Sequence, residues 1–111
     1  MRVIHVAAAQ MGPIQRSESR QAVIPRMIAL MDEAKRRGAD LIVYPELALT
    51  TFFPRWYMED QAEVDAWFER EMPNAATRPL FARAAEGYSI DPKLFAGLWF
   101  LEHVADGHVC G

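Results

Sequence analysis

The chain has 111 residues, 51% of them apolar, and its 12 basic and 15 acidic side chains leave a net charge of −3. That length and apolar share fit one small globular domain burying about two-thirds of its unfolded surface, and they exclude a disordered tail. With so weak an acidic balance and no long run of like charge, there is no electrostatic footprint for nucleic acid or an anionic membrane, and no apolar stretch nears the roughly 20 residues of a spanning helix.

Residues 2–10 open with Val3, Ile4, Val6, Ala7 and Ala8, a nearly continuous apolar run broken by His5 and closed by Met11-Gly12-Pro13. A run without strict alternation, bounded by a Gly-Pro break, predicts a strand buried on both faces, with His5 as a hydrogen-bonded core histidine. One leading arginine is too little for a signal peptide. Ser17 or Ser19 then offers a helix N-cap, with Glu18 in the first turn. Val23, Met27, Leu30, Met31 and Ala34 share one helical face, while Arg20, Asp32, Glu33, Arg36 and Arg37 occupy much of the rest. Pro25 inside this pattern predicts a kink or a later start, and Gly38 is the natural stop.

Residues 40–44 give a second strand, ended by Pro45, which has no ladder donor. Strand, helix, strand is a βαβ unit, which implies parallel pairing and a right-handed crossover, and so an α/β fold. Residues 47–57 show no period and form a long connection. Helical spacing returns with Val64, Trp67 and Phe68 inside the acidic stretch 59–71, whose charges read as a solvated helix face, and Pro73 stops that helix. Thr77 and Pro79 mark another N-terminus, with Leu80, Phe81, Ala84 and Ala85 as the apolar face up to Gly87. Residues 94–101 predict a third buried strand, and Asp106-Gly107 a hairpin turn.

The single cysteine, Cys110, excludes an internal disulfide and points to a reducing, cytoplasmic compartment. His103 and His108 with Cys110 fall short of a metal site in spacing and ligand count, so neither a metal nor a cofactor is expected. Trp56, Trp67, Phe52, Phe53 and Phe68 read as packing rather than a platform for bases. Phe53, close behind Glu46, is the one candidate among them for a pocket mouth. Arg55 stands between two readings, an attractor of a substrate carboxylate and an ordinary solvated arginine.

Glu46 is the most informative position. It follows a strand directly, in Val43-Tyr44-Pro45-Glu46-Leu47, and the carboxyl ends of parallel strands open into the crevice where α/β proteins bind ligands. Tyr44, preceding a proline, is held extended and delivers Glu46 at a fixed angle. A carboxylate between Pro45 and Leu47 is expected to be partly desolvated and so suited to accept a proton from a nucleophile. Position alone leaves the alternative of a helix cap or an arginine-paired loop carboxylate.

The stretch Arg37-Gly38-Ala39-Asp40-Leu41-Ile42-Val43-Tyr44-Pro45-Glu46-Leu47-Ala48-Leu49 resembles the opening catalytic motif of the carbon–nitrogen hydrolase (nitrilase) superfamily. Ala9-Gln10 followed by Gly12-Pro13 is similar to that family's first strand and turn. More narrowly, Leu47-Ala48-Leu49-Thr50-Thr51-Phe52-Phe53-Pro54-Arg55-Trp56 resembles N-carbamoyl-D-amino acid hydrolases, as do Glu71-Met72-Pro73 and Arg78-Pro79-Leu80-Phe81. The close match covers residues 1–86, and residues 87–111 depart from it.

The resemblance implies the N-terminal part of a four-layer α-β-β-α sandwich carrying a Glu-Lys-Cys triad. In that triad the glutamate is the general base, the cysteine attacks the carbonyl carbon, the lysine stabilises the oxyanion, and water hydrolyses the acyl-enzyme. Only the glutamate carries over, onto Glu46. Neither Lys35 nor Lys93 has the family lysine's context, and Cys110 does not match the nucleophile motif. The implied activity converts a small-molecule N-carbamoyl-D-amino acid into the D-amino acid, carbon dioxide and ammonia, without a cofactor, in a homo-oligomer. Residues 1–111 alone are expected to be inactive. The alternatives are the β-ureidopropionase or aliphatic amidase branches, and a non-catalytic truncated relative that pairs with full-length subunits. A sheet of only three strands leaves an edge and an apolar face uncovered, so poor solubility or dependence on a partner is expected.

Overall fold

The two predicted strands do pair in parallel, around the predicted helix. The computed structural model describes residues 3–87. In chain order these form β1 (Val6–Ala8), α1 (Arg20–Arg36), β2 (Leu41–Val43), a 3-10 turn (Phe53–Arg55), α2 (Gln61–Asp65) and α3 (Arg78–Gly87). The predicted third strand, the Asp106-Gly107 turn, Lys93, His103, His108 and Cys110 lie outside the described residues.

Val6 sits opposite Leu41, Ala7 opposite Ile42 and Ala8 opposite Val43. The ladder is extended where Asp40 N–H donates to the His5 carbonyl at 2.7 Å and Ala9 N–H to the Val43 carbonyl at 2.8 Å. Both strands are shorter than expected, and burial on both faces is overturned. Ile42 joins the core with Val23, Met27 and Met31, whereas Val6 is 60% and Val43 50% exposed. Among the described residues the sheet has two strands and helical cover on one side, so alternate side chains face outward. His5 is correspondingly no core histidine. Its side chain is 71% exposed, with Nδ1 3.7 Å from the Asp40 carboxylate, which also accepts the His5 backbone N–H at 3.0 Å.

Ser19 is the N-cap of α1, its hydroxyl accepting from Ala22 N–H at 3.2 Å. Glu18 therefore falls just outside the first turn, where its carboxylate accepts from Gln15 N–H at 2.8 Å and pairs with Arg26 at 3.4 Å. The helix continues through Pro25. Pro25 withholds a donor from the Gln21 carbonyl, and Gln21 is exposed, so water can serve that acceptor instead. At the other end Gly38 adopts φ +83°, donating to the Lys35 carbonyl at 3.0 Å while Ala39 donates to the Ala34 carbonyl at 3.0 Å. This paired 5→2 and 6→1 closure is the Schellman ending that favours glycine. A β-carbon added at Gly38 would meet no atom within 4 Å, so only backbone strain opposes a side chain. Gly38→Ala is expected to lower stability by about 1 kcal/mol, read from the urea unfolding midpoint.

Helix α1 is sandwiched between the sheet and α3. Val23, Met27, Met31 and Leu80 are almost fully buried together, with Ile24, Ala34 and Ala84 around them. Leu30 and Phe81 are half-buried and Ala85 is exposed, so the apolar faces are narrower than their spacing predicts. Tyr44 ties the end of β2 to the helix by donating from its hydroxyl to the Met27 carbonyl at 2.7 Å. Arg83 on α3 bridges Asp32 on α1 and Glu86, each at 2.7 Å. Hydrogen bonds donated to Asp32 first and to Glu86 second raise the guanidinium pKa above its ordinary value. A raised cation stabilises the fold below its unfolded pKa and loses that contribution only as pH climbs through the folded value, so titration of the guanidinium itself weakens this bridge only under strongly alkaline conditions.

The helix expected across residues 59–71 is cut to Gln61–Asp65, capped by Asp60, whose carboxylate accepts from Ala62 N–H at 2.9 Å. Trp67 and Phe68 leave the helix to pack on Phe53, at ring centroid separations of 5.9 and 5.2 Å. Glu69 is not on a solvated face either. It is 5% exposed and paired with Arg20 on α1.

Candidate active site

The site begins where β2 ends. Tyr44 and Pro45 carry the chain to a turn over residues 46–49, within which Leu47 adopts φ +56°, the one positive value at a non-glycine position among the described residues. A left-handed leucine costs about 1–2 kcal/mol and persists only where its surroundings enforce it. They do so here, because Leu47 is buried with Phe53 against Met58, Trp67 and Phe68, and its carbonyl accepts Thr50 N–H at 3.2 Å. The sharp turn sends Leu47 into that second apolar cluster and leaves Glu46 on the outside.

Glu46 lines a cleft of about 210 Å³. The β1–α1 loop supplies Gly12, Pro13 and Ile14 to it, while Thr50, Thr51, Phe52 and Arg55 come from the segment after β2. The cleft thus sits at the carboxyl ends of two parallel strands, as the general rule for such sheets requires. Glu46 caps no helix and makes no hydrogen bond or ion pair among the described residues. The desolvation expected from its neighbours is absent. Glu46 and Pro45 are both exposed, and Leu47 is buried with Phe53.

Phe53 does not form the pocket mouth. It is buried between Trp67 and Phe68, and Phe52, 56% exposed, lines the cleft in its place. The two adjacent aromatics have opposite fates because the 3-10 turn begins between them. Arg55, at the end of that turn, lines the cleft and lies over the Trp56 ring with its guanidinium carbon 5.0 Å from the centroid.

Two features escape sequence reasoning. Arg26 on α1 holds the loop that walls the cleft, donating to the Met11 carbonyl and, at 3.3 Å, to the Pro13 carbonyl. Nothing in its spacing sets it apart from the solvent-facing arginines of the same helix. The second is a buried polar network. Glu69 accepts from Arg20 and, at 2.6 Å, from Asn74 Nδ2, and Asn74 Oδ1 accepts from the backbone N–H groups of Ala76 and Thr77 at 3.0 Å each. Among the described residues no three His, Cys, Asp or Glu side chains are grouped to hold a metal ion, and no helix is long and apolar enough to cross a membrane.

A parallel βαβ unit presenting a free carboxylate in a cleft at the strand ends is the frame of an α/β enzyme site. The family model for carbon–nitrogen hydrolases matches residues 5–88, a span holding the whole unit, Glu46 and α3. The chain belongs to that family, whose members hydrolyse carbon–nitrogen bonds.

Proposed function

We propose that this chain supplies the general base for hydrolysis of an N-carbamoyl-D-amino acid to the D-amino acid, carbon dioxide and ammonia. The observation that carries the reading is Glu46, a carboxylate with no partner among the described residues, lining a cleft at the end of a parallel strand. A carboxylate tied into an ion pair would be poorly placed to exchange a proton, whereas one open to a cleft can take it from a thiol and return it to the leaving ammonia. The lysine that stabilises the oxyanion and the cysteine that attacks the ureido carbon have no counterpart in matching context in these 111 residues, so the chain by itself is inactive in this proposal. The exposed outer face of the sheet, with Val6 and Val43, suits a second sheet layered against it, as in an α-β-β-α sandwich. That same face also favours a second reading, a truncated relative that pairs with complete subunits.

Ammonia release from N-carbamoyl-D-alanine tests the proposal. The 111-residue chain alone is expected to show none, and turnover is expected when a second polypeptide bearing the family's lysine and cysteine is added. Turnover by the chain alone would overturn the divided triad. Preference for N-carbamoyl-β-alanine or for a simple aliphatic amide would move the assignment to the β-ureidopropionase or amidase branch.

A further inference from the structure

We infer that Arg55 recognises a carboxylate on the substrate and so selects acidic substrates over neutral amides at the Glu46 cleft. The inference rests on the cleft being the reaction site and adds the residue that reads the far end of the substrate. Arg55 and Glu46 line one cleft but come from separate elements, the 3-10 turn and the end of β2. Other arginines around this part of the fold are engaged by carboxylates: Arg16 by Glu63 at 3.0 Å, Arg20 by Glu69, and Arg26 by Glu18 at 3.4 Å. Arg55 has no acidic partner among the described residues. What it has is the Trp56 ring, 5.0 Å from the guanidinium carbon.

That contact is suited to ligand recognition. An aromatic face supports the plane of a guanidinium while leaving its in-plane N–H fork free, and the fork matches a carboxylate in two parallel hydrogen bonds. The backbone beneath is held as well, since Phe53, at the start of the same 3-10 turn, is fixed between Trp67 and Phe68. Charge demands such a group. Glu46 repels an anionic substrate, and a cation lining the same cleft offsets the repulsion and orients the anion. A neutral amide would leave Arg55 without a role.

The test is a titration of the 15N-labelled 111-residue chain with N-carbamoyl-D-alanine and with its uncharged carboxamide, followed at the amides of Gly12, Thr50 and Thr51 and at Arg55 Nε. The acid is expected to bind about tenfold more tightly than the carboxamide. Arg55→Gln is expected to erase that difference while leaving carboxamide binding unchanged, and Arg55→Lys to restore part of it. Equal binding of acid and carboxamide, unaltered by Arg55→Gln, would overturn the role of Arg55 and leave the cleft assignment standing. If neither compound moved these signals, the cleft itself would be wrong, and the reading of Glu46 would fall with it.

Discussion

Glu46→Gln is expected to lower turnover by about 10²–10⁴-fold in an assembly that joins this chain to the family's lysine- and cysteine-bearing portion. The substitution keeps the side chain's size and removes its capacity to hold a proton. It should do so without structural side effects, because Glu46 is exposed and makes no hydrogen bond or ion pair among the described residues. The unfolding midpoint should therefore stay within about 0.5 kcal/mol of the parent's stability. The loss should appear in kcat, since the proton transfer is made in the transition state rather than in binding. Ammonia release at saturating N-carbamoyl-D-alanine, measured beside urea unfolding, reads both quantities. A loss of turnover accompanied by an equal loss of stability would assign Glu46 to the fold instead.

Glu69→Ala is expected to have the reverse profile, destabilising the fold by about 3 kcal/mol. Glu69 is 5% exposed, and it joins Arg20 on α1 to Asn74, which donates to it at 2.6 Å. Asn74 in turn orders the start of α3 by accepting from Thr77 N–H at 3.0 Å, and Thr77 is fully buried. Removing the carboxylate leaves the Arg20 guanidinium on the Ala66 and Trp67 carbonyls alone, at 3.2 and 2.9 Å, and leaves one Asn74 Nδ2 hydrogen unmet. The Arg20 side chain retains 23% exposure, so water recovers part of the loss and places the effect at the low end for a broken buried pair. Glu71, two residues along and exposed, is the natural control, with Glu71→Ala expected within about 0.5 kcal/mol. Equal urea midpoints for the two variants would show that the network carries no stability.

The contrast between Glu69 and Glu71 marks where the sequence stops being legible. Within residues 59–71 every carboxylate looks alike, because helical spacing predicts exposure only while the helix continues, and this one ends at Asp65. Beyond that point Trp67 and Phe68 are drawn to Phe53, and the chain folds inward with Glu69 on it. By comparison the ends of α1 were legible, the N-cap to one of two serines and the stop to Gly38. Its apolar period, the Ser19 cap and the Gly38 ending are local devices that act within one turn of themselves. Parallel pairing of the strands followed from chain length and connectivity. Their burial did not, because whether an outer face is covered depends on partners that no strand encodes by itself. At the site, the position of Glu46 beside a cleft at the strand ends was legible from its place after a strand. The choice of Phe52 over Phe53 for the cleft was not, since it turns on a 3-10 turn one residue long in its consequences and on the left-handed Leu47.

In the proposed reaction Glu46 takes a proton from a thiol. In the assembled protein, the rate at which iodoacetamide alkylates the family's cysteine at neutral pH measures the thiolate directly. With Glu46 present alkylation is expected to be rapid, slowed at least tenfold by Glu46→Gln and restored in the variant by raising the pH. Identical rates for the parent and Glu46→Gln at neutral pH would contradict it.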